Sequence, residues 1–237
     1  MRLFTQLIPM AALLLAYATA QNSSDPSGHW EAVIQAQGQD VKIEIDLGKN
    51  TKGDLIGTFA QPAQGVKGLP LSQIAVEGRS VRFVLKADVQ PVIFAGVLSA
   101  DGKSIAGDLM LAGESVPFRF TRTGDAKFTA VPKSAPIGKE LEGTWNGTLE
   151  TAGGQMRLTL KMANQSDGTA AGTIVSVDGS GIEIPIAMKQ NAASLAIDVP
   201  SVGASFTGVL NPAGTVLTGT WTQQSVTLPL TFQRAAK

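Results

Sequence analysis

The sequence has no cysteine and very little histidine or tyrosine. Its 237 residues include one His, one Tyr and three Trp. Without cysteine the chain has neither a disulfide nor a lipidated N-terminal Cys. A zinc site built from several Cys and His ligands is excluded as well, because one histidine cannot supply that set. Asp101, Asp167 and Asp178 each lack spaced carboxylate neighbours, so we interpret them as turn residues and expect no metal and no cofactor.

An excess of charge of one sign is also absent. The chain has 19 Lys and Arg residues against 19 Asp and Glu residues, and no segment carries a run of one sign. A nucleic acid or an anionic membrane surface requires a basic patch. We therefore expect neither as a partner.

Only the N-terminus contains a continuous apolar run. Arg2 precedes an apolar stretch at residues 7–15, and Ala18-Thr19-Ala20 follows as a small-x-small cleavage site. This arrangement predicts a signal peptide at residues 1–20. The apolar run is too short to span a bilayer, so we expect no membrane insertion after cleavage. The protein is expected to be periplasmic or secreted, in a bacterial host.

The remainder of the chain contains an internal duplication. At an offset of 115 residues, Gly28 and Trp30 align with Gly143 and Trp145, and after a slip of three residues Phe94 aligns with Phe206. The register holds over many spaced positions, which predicts two copies of one domain, at residues 27–124 and 141–235. Few shared contacts are expected between the two units.

The intervening residues 125–140 have no sustained alternation. They contain Pro132 and Pro136, which are typical of an extended linker. The alternative is a short edge strand docked on one copy, for which Phe128 and Val131 would be the apolar anchors.

Each copy has a hydrophobic period of two, with turn residues every 8 to 12 positions. In copy 2, for example, Met156, Leu158 and Leu160 alternate with Arg157 and Thr159, and we expect these three apolar side chains to point into the barrel. The expected fold is all-β: two tandem antiparallel up-and-down β-barrels of about eight strands each, since closure removes free strand edges. The strands of copy 1 are predicted near residues 30–36, 40–47, 54–60, 69–76, 80–86, 92–98, 104–111 and 114–122.

The Gly-x-Trp of the first strand and an Arg near the end of the last strand resemble the structural motif of the calycins, the lipocalin-like barrels. The resemblance implies that Arg122 covers Trp30 and that Arg234 covers Trp145 where each barrel closes. A guanidinium over an indole contributes about 0.5–2 kcal/mol.

Copy 2 also resembles the small non-catalytic N-terminal β-barrel of some secreted bacterial α/β-hydrolases. The motifs are Gly143-Thr-Trp145, Asp167-Gly168, Gly219-Thr-Trp221-Thr-Gln223 and Leu228-Pro-Leu230-x-Phe232-x-Arg234. Copy 1 matches less well, but its Gln64-Gly65-Val66-Lys67-Gly68 resembles the Gly-rich loop of that module.

Catalytic motifs are missing from the sequence. There is no Gly-x-Ser-x-Gly elbow, and copy 2 has Thr144 at the position of the only histidine, His29. Glu44 and Asp46 share a face, but it is the polar outer face of a strand. We therefore expect that the protein is not an enzyme.

Two functional interpretations remain open. The first is an accessory or interaction module with an unknown protein partner, and the second is a lipocalin-like carrier of a small apolar ligand. The bulky apolar inward set favours filled barrels, and hence the first interpretation. The candidate residues in the barrel interior are Trp145, Phe206, Trp221 and Arg234. The candidate residues in the surface loops are Gln64, Gly65, Lys67 and Gly68, with Asp178, Gly179 and Ser180 as their counterparts.

Overall fold

The structure, a computed structural model, describes residues 25–36, 38–111, 113–128, 131–179 and 181–236. The predicted signal peptide, residues 1–20, lies outside these ranges. The described chain forms two closed eight-stranded barrels in tandem, which confirms the predicted fold class. In both barrels each strand pairs with the next in antiparallel fashion, and the first strand pairs with the last.

The strand bounds agree closely with the sequence periodicity. Barrel 1 consists of β1 (Gly28–Ala36), β2 (Gln39–Lys49), β3 (Leu55–Gln61), β4 (Val66–Glu77), β5 (Ser80–Leu85), β6 (Val92–Leu98), β7 (Ser104–Leu111) and β8 (Glu114–Gly124). Barrel 2 consists of β9 (Gly143–Thr151), β10 (Gly154–Asn164), β11 (Ala170–Ser176), β12 (Ile184–Asn191), β13 (Ser194–Val199), β14 (Ala204–Leu210), β15 (Val216–Gln223) and β16 (Val226–Arg234).

Alternation places the apolar side chains inside, because successive residues of a strand point to opposite faces. In β10, Leu158, Leu160 and Met162 are buried in the core of barrel 2. The prediction that Met156 also points into the core is wrong, since its side chain is 38% exposed. Met156 lies next to the β9–β10 turn, at the rim of the barrel.

The segment between the barrels contains no strand in its described residues, but it is packed against both barrels. Phe128 covers Gly48 of β2, where a Cβ would lie 2.9 Å from the phenyl Cε2. Ile137 is buried in the core of barrel 2. Its backbone N–H donates to Asn164 Oδ1 at 2.9 Å, and its carbonyl accepts from Asn164 Nδ2 at 2.8 Å. Ser134 accepts a hydrogen bond from the Met188 N–H at 2.7 Å. The sequence pattern did not indicate the burial of Ile137.

The barrels also contact each other directly, through the β5–β6 loop of barrel 1 and the β11–β12 loop of barrel 2. Ala87 and Ile182 form an antiparallel bridge. The Asp88 N–H donates to the Gly181 carbonyl at 2.7 Å, and Ile184 packs against the cores of both barrels. The contacts between the barrels are therefore more extensive than the duplication led us to expect.

Candidate functional site

Each barrel is closed by a cation–π pair. Arg122 Cζ lies 4.7 Å from the ring centroid of Trp30, and Arg234 Cζ lies 4.3 Å from that of Trp145. The pairs arise because the first and last strands become neighbours on closure, with Trp30 opposite Arg122 and Trp145 opposite Arg234. The expected Trp–Arg contacts are confirmed in both barrels.

The polar atoms of the Trp145–Arg234 pair are bound to the backbone. Trp145 Nε1 donates to the Leu141 carbonyl at 2.9 Å. Arg234 Nε donates to the Gly214 carbonyl at 2.9 Å, and its Nη1 donates to that of Glu142 at 2.6 Å. Two of the four predicted interior ligand contacts, Trp145 and Arg234, are thus engaged in closing the barrel.

Aromatic rings occupy the interior space that inward glycines leave open. A Cβ on Gly208 would lie 2.5 Å from Phe206 Cζ, and one on Gly147 would lie 2.8 Å from Phe232 Cδ1. The Phe206 and Phe232 rings meet edge to face, with centroids 5.4 Å apart. Their exposed fractions are 1% and 0%. Phe206 therefore serves as core packing.

Trp221 is the exception among the predicted interior residues. Its side chain is only 6% exposed, and its Nε1 is a buried donor with no hydrogen-bond partner among the described residues. A buried N–H left unpaired costs about 1–3 kcal/mol. Trp221 pairs across the sheet with Phe206 and Leu228, so this donor lies in the apolar part of barrel 2.

The predicted surface loop of barrel 1 is exposed. A 3₁₀ turn spans Pro62–Gln64, and Gly65 ends it in the left-handed conformation with φ of 69°. Gln64, Gly65 and Lys67 are exposed, and Gly68 is partly exposed. These residues span the β3–β4 connection and the first residues of β4.

The counterpart loop of barrel 2 is engaged in contacts. Asp178 Oδ2 accepts from the Arg157 N–H, and its Oδ1 accepts from Arg157 Nε, both at 2.8 Å. The Arg157 guanidinium holds the pKa of Asp178 below its ordinary value. Gly179 N–H donates to the Ser176 carbonyl at 3.3 Å, and the predicted Ser180 lies outside the described residues.

A groove of about 900 Å³ crosses the outer surface of barrel 2. We call it the seam groove, because it follows the junction of the first strand of the barrel, β9, with the last, β16. Its polar lining residues are Asn146, Thr148, Arg157, Thr159, Thr231, Gln233 and Arg234. Its apolar lining residues include Leu158, Val177, Pro229 and Leu230. Of the groove residues only Arg234 was predicted as a site residue, and it was predicted for the barrel interior rather than for this groove. Arg157 is held by the predicted loop residue Asp178.

The groove arises because the two strands diverge. β9 and β16 each have nine residues, but they pair only through Trp145, Asn146 and Gly147 with Arg234, Gln233 and Phe232. Beyond these pairs, Thr148 of β9 and residues 229–231 of β16 line the groove. The groove thus combines strand edges with hydroxyl, amide and guanidinium groups.

Comparison with solved structures gives low similarity over most of the chain. A Bacteroides fragilis protein, provisionally described as an outer membrane protein, is 10% identical with a TM-score of 0.29, over 90% of this chain and 99% of that chain. A Nostoc punctiforme protein of unknown function is 12% identical with a TM-score of 0.26, over 91% and 97%. No family model and no curated protein matches the sequence. Helices among the described residues are short, and none has the length and apolar character needed to cross a membrane.

Proposed function

We propose that the protein is a non-catalytic extracytoplasmic binding module, and that the seam groove of barrel 2 receives an extended segment of a partner protein. The observation that carries the proposal is the groove of about 900 Å³ beside the short β9–β16 ladder, which has three residue pairs along two nine-residue strands. The β1–β8 ladder of barrel 1 also has three pairs, so the groove and its polar lining are the features that direct the proposal to barrel 2. Strand edges that lack a neighbour are templates for an added strand.

The groove has the chemistry that strand addition requires. Main-chain hydrogen bonds supply affinity in this mode of recognition, and side-chain contacts supply specificity. Thr159 Oγ1 already donates to Asn146 Oδ1 at 3.1 Å, so the amide Nδ2 of Asn146 is directed elsewhere for a partner carbonyl. Leu158 and Leu230 also line the groove, although their side chains are buried in the core of barrel 2. A polar, extended peptide fits this lining better than an apolar small molecule.

Three further observations support the module over other classes. The inward glycines of barrel 2 are covered by the rings of Phe206 and Phe232, which leaves little interior space for cargo. The side-chain partners of His29 are carboxylates, whereas nucleophilic catalysis needs a hydroxyl or thiol there. The N-terminal signal-peptide pattern supports a periplasmic or secreted location.

Site-specific photocrosslinking tests the seam groove in the native compartment. A photoreactive phenylalanine analogue replaces Thr148, and in a matched control it replaces Val33, the corresponding exposed residue of barrel 1. We expect a discrete crosslinked protein from position 148 only, and its loss when Gln233→Arg fills the groove. Equal crosslinking at both positions, or none at position 148, would contradict the proposal.

A second candidate, a carrier of a small ligand, is favoured by one observation, the unpartnered Nε1 of Trp221. A ligand with a carbonyl or carboxylate oxygen would satisfy this donor. Native mass spectrometry of protein taken directly from the host, followed by titration with a fluorescent fatty acid, tests this function. Binding at one site in barrel 2 that is lost in Trp221→Phe would establish a carrier.

A further inference from the structure

The only histidine of the sequence lies in a group of charged side chains on the outer face of barrel 1. The register of β1 and β2 places His29 opposite Asp46 and Glu31 opposite Glu44. Lys42 extends from β2 towards both glutamates. These five residues form the His29 cluster, whose side chains are 13–47% exposed. It lies outside the seam groove and has no role in the proposed function.

The imidazole of His29 is held in one orientation. Its Nδ1 lies 2.9 Å from Asp46 Oδ1. An ionised carboxylate only accepts hydrogen bonds, so Nδ1 carries the hydrogen and Nε2 is directed away from Asp46. The Lys127 N–H also donates to Asp46 Oδ1 at 2.9 Å, which fixes the carboxylate in turn. Metal-binding histidines typically have a carboxylate on the second ring nitrogen in this manner.

His29 Nε2 faces two more carboxylates. It lies 3.7 Å from Glu31 Oε1 and 4.0 Å from Glu44 Oε2. Lys42 Nζ contacts the opposite oxygens, Glu31 Oε2 at 2.8 Å and Glu44 Oε1 at 3.0 Å. Each glutamate therefore presents one oxygen to the ammonium and the other to the imidazole.

We propose that His29 Nε2, Glu31 Oε1 and Glu44 Oε2 form a binding site for a divalent transition-metal ion, with Asp46 and Lys42 as supporting residues. The three donor atoms lie within 4.8 Å of one another. Around a tetrahedral centre with bonds of about 2.0–2.1 Å, donor atoms are separated by roughly 3.3 Å. The observed distances reach this value with side-chain shifts of less than about 1 Å.

The donor set selects the class of ion. One imidazole nitrogen with carboxylate oxygens suits Zn²⁺, Co²⁺ or Ni²⁺, whereas Ca²⁺ and Mg²⁺ prefer oxygen ligands alone. The cluster contains three carboxylates against one ammonium, so its charge favours a cation. Three protein ligands leave a fourth position for water or for a donor atom of another molecule.

Barrel 2 provides an internal control. Thr144, Asn146, Thr159 and Lys161 occupy the positions that correspond to His29, Glu31, Glu44 and Asp46. These residues offer no imidazole and no carboxylate. We therefore expect one metal ion per chain rather than two.

Isothermal titration calorimetry with zinc chloride tests the site, on protein purified without a polyhistidine tag. We expect one Zn²⁺ per chain, a loss of binding of at least 100-fold in His29→Ala, and a weaker loss in Glu44→Gln. Asp46→Asn should weaken binding 10- to 100-fold through the orientation of the imidazole. The matched control Thr144→Ala should bind as the unmodified protein does, and circular dichroism verifies the fold of each variant.

Cobalt(II) absorption provides a second readout that does not depend on stability. Visible bands that appear on addition of Co²⁺, disappear in His29→Ala, weaken in Glu44→Gln and are displaced by Zn²⁺ would support the site. Absence of Zn²⁺ binding would overturn the proposal. Binding that persists unchanged in His29→Ala would also overturn it.

Discussion

The two barrels have the same closed eight-stranded fold, but different side chains lie on the outer face of their first two strands. In barrel 1 the first two strands pair His29 with Asp46 and Glu31 with Glu44. In barrel 2 the corresponding strands pair Thr144 with Lys161 and Asn146 with Thr159, in the same register.

The contrast separates scaffold from binding surface. The Trp–Arg pair that closes each barrel is present in both copies, and inward glycines face bulky side chains in both. The outer face of the first two strands bears no such constraint. One copy carries a charged cluster there, and the other contributes Asn146 and Thr159 to the seam groove. Duplication thus kept the fold and left one surface free to diverge.

The largest expected effect comes from removing the closing tryptophans. Trp30 and Trp145 are both 0% exposed, and each donates its Nε1 hydrogen to a backbone carbonyl at 2.9 Å. Trp30→Ala and Trp145→Ala should each lower the free energy of unfolding by about 3–5 kcal/mol. Urea unfolding followed by circular dichroism measures both. A loss below about 1 kcal/mol in either variant would show that the two closures are not equivalent.

Introducing the His29 cluster into barrel 2 would remove the difference between the two outer faces. The quadruple variant Thr144→His, Asn146→Glu, Thr159→Glu and Lys161→Asp reproduces the donor set in barrel 2, where Arg157 corresponds to Lys42. We expect two Zn²⁺ per chain by calorimetry. At a free Zn²⁺ concentration 100 times the Kd, each site adds about 2.7 kcal/mol to the stability of its barrel. A stoichiometry of one would show that register alone does not create the site.

The two closing arginines should contribute different amounts to the free energy of unfolding. Arg234 donates to the carbonyls of Gly214, Glu142 and Glu140, whereas Arg122 donates from Nη2 to the Asp25 carbonyl and its buried Nε has no partner among the described residues. Arg234→Ala should lower the free energy of unfolding by about 3 kcal/mol, and Arg122→Ala should lower it by about 1 kcal/mol. Urea titrations of both variants measure the difference.

The cation–π contact can be isolated by a double-mutant cycle of Arg234→Ala with Trp145→Phe. A coupling above about 0.5 kcal/mol is expected for residues in direct contact. Additive losses would show that the pair contributes only through its separate hydrogen bonds.

The frame could be predicted from the sequence because it depends on local periodicity and on the duplication. Alternation of apolar residues located the strands to within a few positions, and Gly-x-Trp with a terminal Arg predicted the closing pairs. The inward set of barrel 2 was also found, with Met156 as an exception at the rim.

The seam groove could not be predicted, because it depends on where β9 and β16 separate. That separation is a non-local property of the closed barrel, and neither strand has a residue pattern that marks it. The burial of Ile137 likewise results from docking against Asn164, a long-range contact. Sequence reasoning located Glu44 and Asp46 on one outer face but missed their proximity to His29. A signal was present: Gly38 lies between the alternating runs of β1 and β2 with a positive φ, and the hairpin register places His29 opposite Asp46.

The smallest expected effect concerns Lys161, where the copies differ by charge reversal. Lys161 Nζ contacts Asp88 and lies 3.7 Å from Glu183, so it connects barrel 2 to the β5–β6 loop of barrel 1. Its side chain is 40% exposed, so solvent screening limits the contribution to below about 1 kcal/mol. The hydrogen bond to Asp88 raises the pKa of Lys161 above its ordinary value of 10.5. This contribution is fully present below pH 10.5 and is lost as pH rises through the higher pKa of the folded state.

Lys161→Met should therefore lower the unfolding free energy slightly at pH 7 and low salt, and should have no effect at 1 M salt, where the Debye length falls to about 3 Å. Lys189→Met, a substitution on β12, which is separated from β10 by β11, is the control. A loss that is independent of salt would assign the contact between the barrels to the Ala87–Ile182 bridge and Ile184 instead.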